Sequence, residues 1–182
     1  MPAVTESPLR AVAAAFAASG LDAGLDRLLT AARGVTRAEA GTIYVRRGNH
    51  LHFSAVQNDV LVKRLGAEEV KRRLATKPLA MSEASIASYV ALTRATVNLG
   101  DAYAIPVDRP YTLYRQVDAT MDYRTRSMLV TPLRTRRSIV FGILQLINAL
   151  DADGAVISFD KESEAAVRTL LDGVAVLEGW PE

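Results

Sequence analysis

The sequence contains no cysteine among its 182 residues. This absence excludes disulfides, thiolate nucleophiles, cysteine-rich zinc sites and chromophores tethered through a thioether. An excess of one charge is also lacking, because 22 basic side chains against 20 acidic ones leave a formal charge of +2. So small an excess gives no reason to expect a nucleic acid or an anionic membrane as a partner.

Long apolar runs are absent as well. The first ten residues, MPAVTESPLR, place acidic Glu6 and two prolines ahead of any apolar stretch, so we expect no signal peptide. The stretch that follows, residues 11–18, is far too short to cross a bilayer. We therefore expect a cytoplasmic protein without a membrane segment.

What is present suits one globular domain, with 49% apolar and 23% charged residues. The apolar periodicity predicts an α+β fold in which terminal helices flank antiparallel strands. The predicted helices cover 8–33 (two helices or one bent one), 59–75, 82–92 and a segment from about 159, and the predicted strands cover 42–45, 51–55, 96–99, 127–133 and 139–148. Residues 101–126 are predicted to be irregular, and so long a connection in a compact domain usually serves function.

Signatures of catalysis are missing. The sequence has no HExxH motif, no GxSxG nucleophile elbow and no GxxxxGK[ST] phosphate loop. His50 and His52 could share a metal from one strand face, but a third ligand must come from elsewhere, so exposed hairpin positions explain them better. We expect no catalytic residue, no metal site and no enzymatic activity.

Three motifs occur in order between residues 85 and 149. They read SIASYVALTRATVNLGDAYAIP (85–106), VDATMDYRTRSMLVTPLR (117–134) and FGILQLINA (141–149). Together with TIYV and HLHFSAVQND before them, these segments resemble the GAF domain family. The resemblance is closest to the GAF domains of cyclic-nucleotide phosphodiesterases, bacterial cyclases and HD-GYP signalling proteins, and it covers roughly residues 22–178.

The resemblance implies a six-stranded antiparallel sheet, related to that of PAS domains, with the N- and C-terminal helices on one face. On the other face it implies a ligand pocket roofed by residues 59–82 and 101–126. The implied division of the chain is a helical extension (1–20), the GAF domain (21–178) and a tail (179–182). Family members bind cyclic nucleotides, other small effectors, haem or bilins. Because the chain has neither a cysteine for a bilin nor a roof histidine for haem, we expect a cyclic nucleotide such as cAMP or cGMP, or a related purine, as the ligand and no covalently bound cofactor.

Three implied site residues lie on strands. The resemblance gives Thr42 as a short hydroxyl contact, and it gives Gln57 and Gln145 at positions that are often acidic, Gln57 facing the base. The sequence also supports Gln145 directly. Leu144 and Leu146 take the opposite strand face, and an amide buried without partners is costly, so Gln145 must face either pocket or solvent, and we favour the pocket.

Of the other five implied site residues, two open a helix and three lie in the roof. Ile86 and Ala87 open a helix whose free N–H groups and dipole suit a cyclic phosphate. The counterparts of Tyr114, Asp118 and Thr125 stack on the base or hydrogen-bond to phosphate, ribose or base.

The family signature Asn-Lys…Phe…Asp-Glu is only partly present. Its matching positions are Asn148, Phe159 and Glu164. Ala149 and Ser163 stand where the family has the Lys and Asp of a buried ion pair, so both partners are missing together and neither charge is left alone. Arg94 stands where the family often ends a helix with Gly, and a left-handed residue there costs on the order of 1 kcal/mol.

Two functions remain open from the sequence. The first is a sensor for a small-molecule effector, and the second is an interaction module with an empty or vestigial pocket. The stripes Val12/Phe16 and Val167/Leu170/Val174 could form a homodimer through the terminal helices, or could pack on the sheet. A methionine-sulfoxide-reducing GAF enzyme is disfavoured because that chemistry needs cysteines. We expect the regulated output to be a domain in cis or a partner protein in trans.

Overall fold

A computed structural model of the chain describes residues 7–74, 77–82 and 84–182. Its helices are α1 (Pro8–Thr36), α2 (Asp59–Leu65), α3 (Ala67–Leu74), α4 (Ile86–Thr93), α5 (Arg115–Met121) and α6 (Lys161–Val174). Its strands are β1 (Ala38–Arg47), β2 (His50–Asn58), β3 (Leu79–Ala80), β4 (Val97–Leu99), β5 (Met128–Arg134), β6 (Val140–Leu150) and β7 (Val156–Ile157). Two predicted segments extend past the described residues. Residues 1–6 of the expected helical extension and residue 75 of the predicted helix 59–75 lie outside them.

The strands form one antiparallel sheet in the order β3-β2-β1-β6-β5-β4. The two-residue β7 pairs with the end of β6 and extends the sheet there. β1 and β6 are the central pair. The expected α+β fold with a six-stranded antiparallel sheet is confirmed. The strands β3 and β7 were not predicted, because two residues are too few to show an alternation of apolar and polar side chains.

α1 and α6 pack together on one face of the sheet, here called the helix side. α1 is bent as predicted, because Gly20 has φ 77° and ψ −162°, a conformation that only glycine adopts readily. The loosely helical segment after β2 splits into α2 and α3 at Gly66, whose φ is 82°. No helix in the described ranges is both long enough and apolar enough to cross a membrane.

The apolar stripes of the two terminal helices are buried within the chain. Val12, Phe16, Val167, Leu170 and Val174 are all at most 8% exposed and belong to the helix-side core. Of the two possibilities that the sequence left open for these stripes, the structure shows that they pack on each other and on the sheet. A homodimer through the terminal helices stays a prediction, and it would use residues outside these stripes.

The opposite face, here called the roofed face, carries a second apolar core. α4 and the segment 105–113 cover it, with Val90 and Tyr111 packed over Tyr44 and Ile143. Nearby, α2, α3 and α5 share a small cluster of Leu61, Val70 and Met121. The terminal helices and the roof thus lie on opposite sides of one sheet.

The connection 101–126 is more regular than predicted. It contains a 3₁₀ turn at Ala102–Ala104 and the seven-residue α5. Asp101 caps the turn by accepting the Tyr103 N–H at 2.8 Å. α5 is too short for its periodicity to stand out, and it is held by tertiary contacts of Asp118 and Met121, both 5% exposed.

Candidate ligand site on the roofed face

Alternation along β6 decides which side chains line the roofed face. Leu144 and Leu146 belong to the helix-side core, whereas Ile143 belongs to the roofed-face core. Because successive strand residues point to opposite faces, Gln145 lies on the roofed face. Its cross-strand neighbour on β1 is Thr42. The structure thus brings two of the predicted site residues together at the centre of the sheet.

The polar groups of Thr42 and Gln145 have no protein partner among the described residues. In the same ranges, every fully buried side-chain nitrogen or oxygen does have a hydrogen-bond partner. The Thr42 hydroxyl and the Gln145 amide are therefore not fully buried, although Thr42 is only 7% exposed and β6 is flanked by strands on both sides.

Ile86 and Ala87 begin α4, as predicted, and their side chains are buried in the roofed-face core. Ser85 caps the helix: its Oγ accepts the Ser88 N–H at 3.0 Å and donates to Ser88 Oγ at 2.9 Å. A parallel bridge between Ser85 and Thr112 lays the segment before α5 beside this helix start. Protein groups therefore already occupy part of the helix start.

Asp118 and Thr125 lie together and are bound to each other. The Asp118 carboxylate accepts the Thr125 N–H at 2.7 Å, the Thr125 hydroxyl at 2.8 Å and the Tyr103 hydroxyl at 2.9 Å. Desolvation and the hydrogen bond to Asp118 raise the pKa of the Tyr103 phenol. In this state the Asp118 carboxylate and the Thr125 hydroxyl are engaged by the protein, and they join α5 to the residues before β5.

Gln57 lies on the helix side, apart from the other predicted site residues. Its Nε2 donates to Thr30 Oγ1 at 2.9 Å, and its Oε1 accepts from Arg33 at 3.0 Å, so it ties β2 to α1. A β-bulge explains this placement, because the β1–β2 register shifts between Ile43 and Tyr44. Before the bulge Phe53 contacts the roofed-face core, and after it Ala55 belongs to the helix-side core.

Tyr114 is also apart from the predicted site. It precedes α5 with 60% of its surface exposed. Tyr111 occupies the buried place in the roof and packs on Tyr89 with ring centroids 4.8 Å apart. Both tyrosines stand in one irregular stretch without periodicity, so the sequence offers no signal to choose between them.

A second polar cluster, which sequence analysis missed as a unit, joins the roof to the sheet. Asn148 Nδ2 donates to Glu39 Oε1 at 3.1 Å and to the Tyr123 hydroxyl at 2.9 Å, and Asn148 Oδ1 accepts the Arg126 N–H at 2.8 Å. The Tyr123 hydroxyl donates to Glu39 Oε1 at 2.5 Å. Burial and the bond to Glu39 raise the pKa of Tyr123, and burial raises that of Tyr44. Asn148, the last polar residue of the third motif, was the sequence signal for this cluster.

A sheet with terminal helices on one face and a roofed polar centre on the other is the arrangement that the three motifs implied. The sequence profile of the GAF domain family matches residues 20–177. The chain belongs to the GAF domain family. GAF is a regulatory sensor fold, and this sequence therefore carries a domain of the signalling type.

Solved structures share the fold along almost the whole GAF domain. The GAF domain of a phosphoenolpyruvate-protein phosphotransferase from Coxiella burnetii is 19% identical, over 92% of this chain and 88% of that one, with a TM-score of 0.63. A putative GAF sensor protein from Burkholderia vietnamiensis is 16% identical over 93% and 89%, with a TM-score of 0.64. Free methionine-R-sulfoxide reductase from Neisseria meningitidis, solved with its substrate, is 15% identical over 92% and 83%, with a TM-score of 0.60. Identities this low establish the fold alone.

The altered signature positions of this GAF domain are filled without charge. Ala149 is 2% exposed. The Ser163 N–H donates to Asp160 Oδ1 at 2.7 Å, which caps α6 and holds the pKa of Asp160 below its usual range. Asn98 Nδ2 donates to Glu164 Oε1 at 2.6 Å and joins β4 to α6. A buried alanine and a serine thus stand at the two positions where the resemblance places an ion pair, and neither side chain is charged.

A cavity of about 530 Å³ lies on the helix side of the GAF domain, between β5 and α6, with Arg134, Arg168 and Asp172 in its lining. None of the predicted site residues lines it. Across the described ranges, no group of three or more His, Asp or Glu side chains could hold a metal ion. The His50 and His52 rings lie 6.4 Å apart.

Proposed function

We propose that this GAF domain is a regulatory sensor that binds a small polar effector on the roofed face, with a cyclic nucleotide or related purine as the effector class. The observation that carries the proposal is the pair Thr42 and Gln145, which places a hydroxyl and an amide without protein partners side by side on an apolar sheet face. Such groups cost free energy unless water or a ligand bonds to them. Because both groups donate and accept hydrogen bonds, together they suit the edge of a purine base.

The roof supplies the element that could report binding. Asp118 and Thr125 hold α5 against the start of β5, and Asn148 holds the same segment to β6 through Tyr123. A ligand that binds one arrangement of these contacts better than another shifts the population toward it. The output would lie in a domain in cis or in a partner protein in trans.

We also propose that the domain is not an enzyme. A free methionine-R-sulfoxide reductase shares its fold, but this sequence has no cysteine. The domain therefore cannot reduce methionine sulfoxide with a cysteine thiolate.

A second candidate is an interaction module with a vestigial pocket. The observation that favours it is the engagement of the Asp118 carboxylate and the Thr125 hydroxyl by the protein itself, which removes two of the predicted ligand contacts. In this case the domain would act through a homodimer or a partner surface and would show no effector.

A thermal-shift panel of cAMP, cGMP, other purines and cyclic dinucleotides tests the sensor proposal. A ligand at 100 times its dissociation constant stabilises by about 2.7 kcal/mol, which raises the melting temperature of a domain this size by roughly 5–10 °C. Gln145→Leu is expected to abolish the shift while the variant still melts cooperatively, because Leu is compatible with an apolar sheet face.

Gln116→Leu is the matched control, because Gln116 is an exposed glutamine on α5. This variant should keep the full ligand shift. The sensor proposal is wrong if no purine changes the melting temperature, or if Gln145→Leu and Gln116→Leu lose the shift to the same extent. Either result would favour the interaction module.

A further inference from the structure

Tyr44 adds a third neutral polar group to the roofed face. It lies two residues along β1 from Thr42 and pairs with Ile143 on β6. Thr42, Tyr44 and Gln145 therefore share one face of the sheet, and the three are here called the floor. The Tyr44 hydroxyl has no hydrogen-bond partner among the described residues and is not fully buried, although the residue is only 9% exposed. Gln145 is partly exposed, and because strands flank β6 on both sides, this exposure is through the roofed face.

The surroundings of the floor are aromatic and uncharged. The Tyr44 and Phe53 ring centroids lie 4.7 Å apart, and Tyr89 and Tyr111 form a second ring pair in the roofed-face core. Burial raises the pKa of Tyr44, so its phenol stays protonated at neutral pH. The floor thus offers a hydroxyl, a phenol and an amide, all of them neutral.

The buried charge of the domain is unfavourable for an anion. Within the described residues, Asp118 is the one charged side chain that is buried, and every Lys, Arg and His is at least partly exposed. The roof arginines Arg115 and Arg124 are exposed and lie over the Tyr103 ring, at 4.7 and 3.8 Å from its centroid. A phosphate buried on the floor would lose its hydration without gaining a buried cation, which is unfavourable.

The start of α4 does not supply the missing positive charge. Ser85 Oγ already accepts the Ser88 N–H at 3.0 Å, and Thr112 lies beside Ser85 in a parallel bridge. The dipole of a helix amounts to about half an elementary charge at its N-terminus, and its effect is confined to the first turn. It is therefore a weak substitute for a Lys or Arg opposite a phosphate.

We propose that the effector held on the floor is an uncharged purine, either a free base or a nucleoside, and that Tyr44 is one of its binding residues. The proposal rests on the sensor function proposed above and narrows its ligand class. Hydroxyl and amide groups donate and accept hydrogen bonds, so Thr42, Tyr44 and Gln145 match the ring nitrogens and exocyclic groups of a base. The phosphate of a cyclic nucleotide has no such match.

The test compares ligands that differ only in the phosphate. Isothermal titration calorimetry of the full 182-residue chain with adenosine and cAMP, and with guanosine and cGMP, gives paired dissociation constants. Adenine and hypoxanthine test the base alone. We expect a nucleoside or base to bind about tenfold or more tightly than the matching cyclic nucleotide, because only the latter buries an unpaired charge. Its affinity should change less than about twofold between low and high salt, since it has no charge to screen.

Tyr44→Phe tests the floor residue. The variant keeps the ring and removes the hydroxyl, so it should weaken nucleoside binding about three- to tenfold, as expected for one hydrogen bond between neutral groups. Tyr114→Phe is the matched control, because it makes the same change on a tyrosine that is 60% exposed and lies apart from the floor. It should leave the affinity within about twofold.

The outcomes separate this proposal from the sensor function on which it rests. A cyclic nucleotide that binds as tightly as its nucleoside would overturn the proposal and leave the sensor function standing. Equal affinities in Tyr44→Phe and Tyr114→Phe would do the same. If none of the purines binds, the sensor function itself is wrong, and the proposal is wrong with it.

Discussion

Asp118 is a carboxylate that the fold buries to 5% exposure without a salt bridge. Three donors replace the water it loses: one backbone N–H and two hydroxyls. A buried carboxylate is tolerable only when it is hydrogen-bonded in this way. The resemblance to GAF domains implied a ligand contact for Asp118, but sequence gives no means to tell a residue that binds a ligand from one that binds the backbone of its own loop.

Replacing Asp118 should therefore lower stability. Asp118→Ala leaves two buried donors and one half-buried donor without their acceptor, and we expect a loss of roughly 3 kcal/mol in the free energy of unfolding by urea. Thr125→Ala should cost about 1–2 kcal/mol, and the double variant should cost less than the sum, because the two share one interaction. Asp122→Asn is the control, since its side chain is 98% exposed, and it should stay within about 0.5 kcal/mol. A neutral Asp118→Ala would mean that the carboxylate does not stabilise the roof.

Helices with caps and strands with clear alternation were predictable as elements. The bend in α1, the β1–β2 hairpin and β6 all follow from local patterns that their tertiary contacts reinforce. α5 was missed because its seven residues are stabilised from outside, by Asp118 and by the cluster around Met121. Local sequence does not encode support of that kind.

The end of α4 offers a test at the scale of one element. Arg94 has φ 63° and ψ 13°, the left-handed conformation expected where the family often has Gly, and its N–H donates to the Val90 carbonyl. Arg94→Gly should relieve the strain of the side chain and raise the unfolding free energy by about 0.5–1 kcal/mol, measured by urea denaturation. Arg94→Ala keeps the Cβ and should gain nothing. An equal gain in both variants would place the effect in the guanidinium instead of the backbone.

At the scale of the whole molecule, the sequence predicts that the sheet has a helix side and a roofed face. It does not predict which face every strand residue lies on. The motifs indicated Thr42 and Gln145 on the roofed face, where the structure places them. Gln57 was assigned to the same face, but one extra residue near Ser54 turns the second half of β2 toward α1. A one-residue bulge reverses every side chain beyond it, and alternation alone does not reveal where it falls.

The segment 175–182 closes the helix side and provides the last prediction. Trp180 is 4% exposed, its ring meets Phe16 and Phe141 edge-on at 5.9 and 5.0 Å, and its Nε1 donates to the Arg134 carbonyl at 2.8 Å. Since one side chain joins α1, β5 and β6, Trp180→Ala should cost about 3–5 kcal/mol of unfolding free energy, measured by urea denaturation. Glu182→Gln breaks an exposed ion pair and should cost less than about 1 kcal/mol. If Trp180→Ala lowers the unfolding free energy as little as Glu182→Gln does, the segment 175–182 covers the core without contributing to its stability. The larger loss that we expect would show that Trp180 is part of the core.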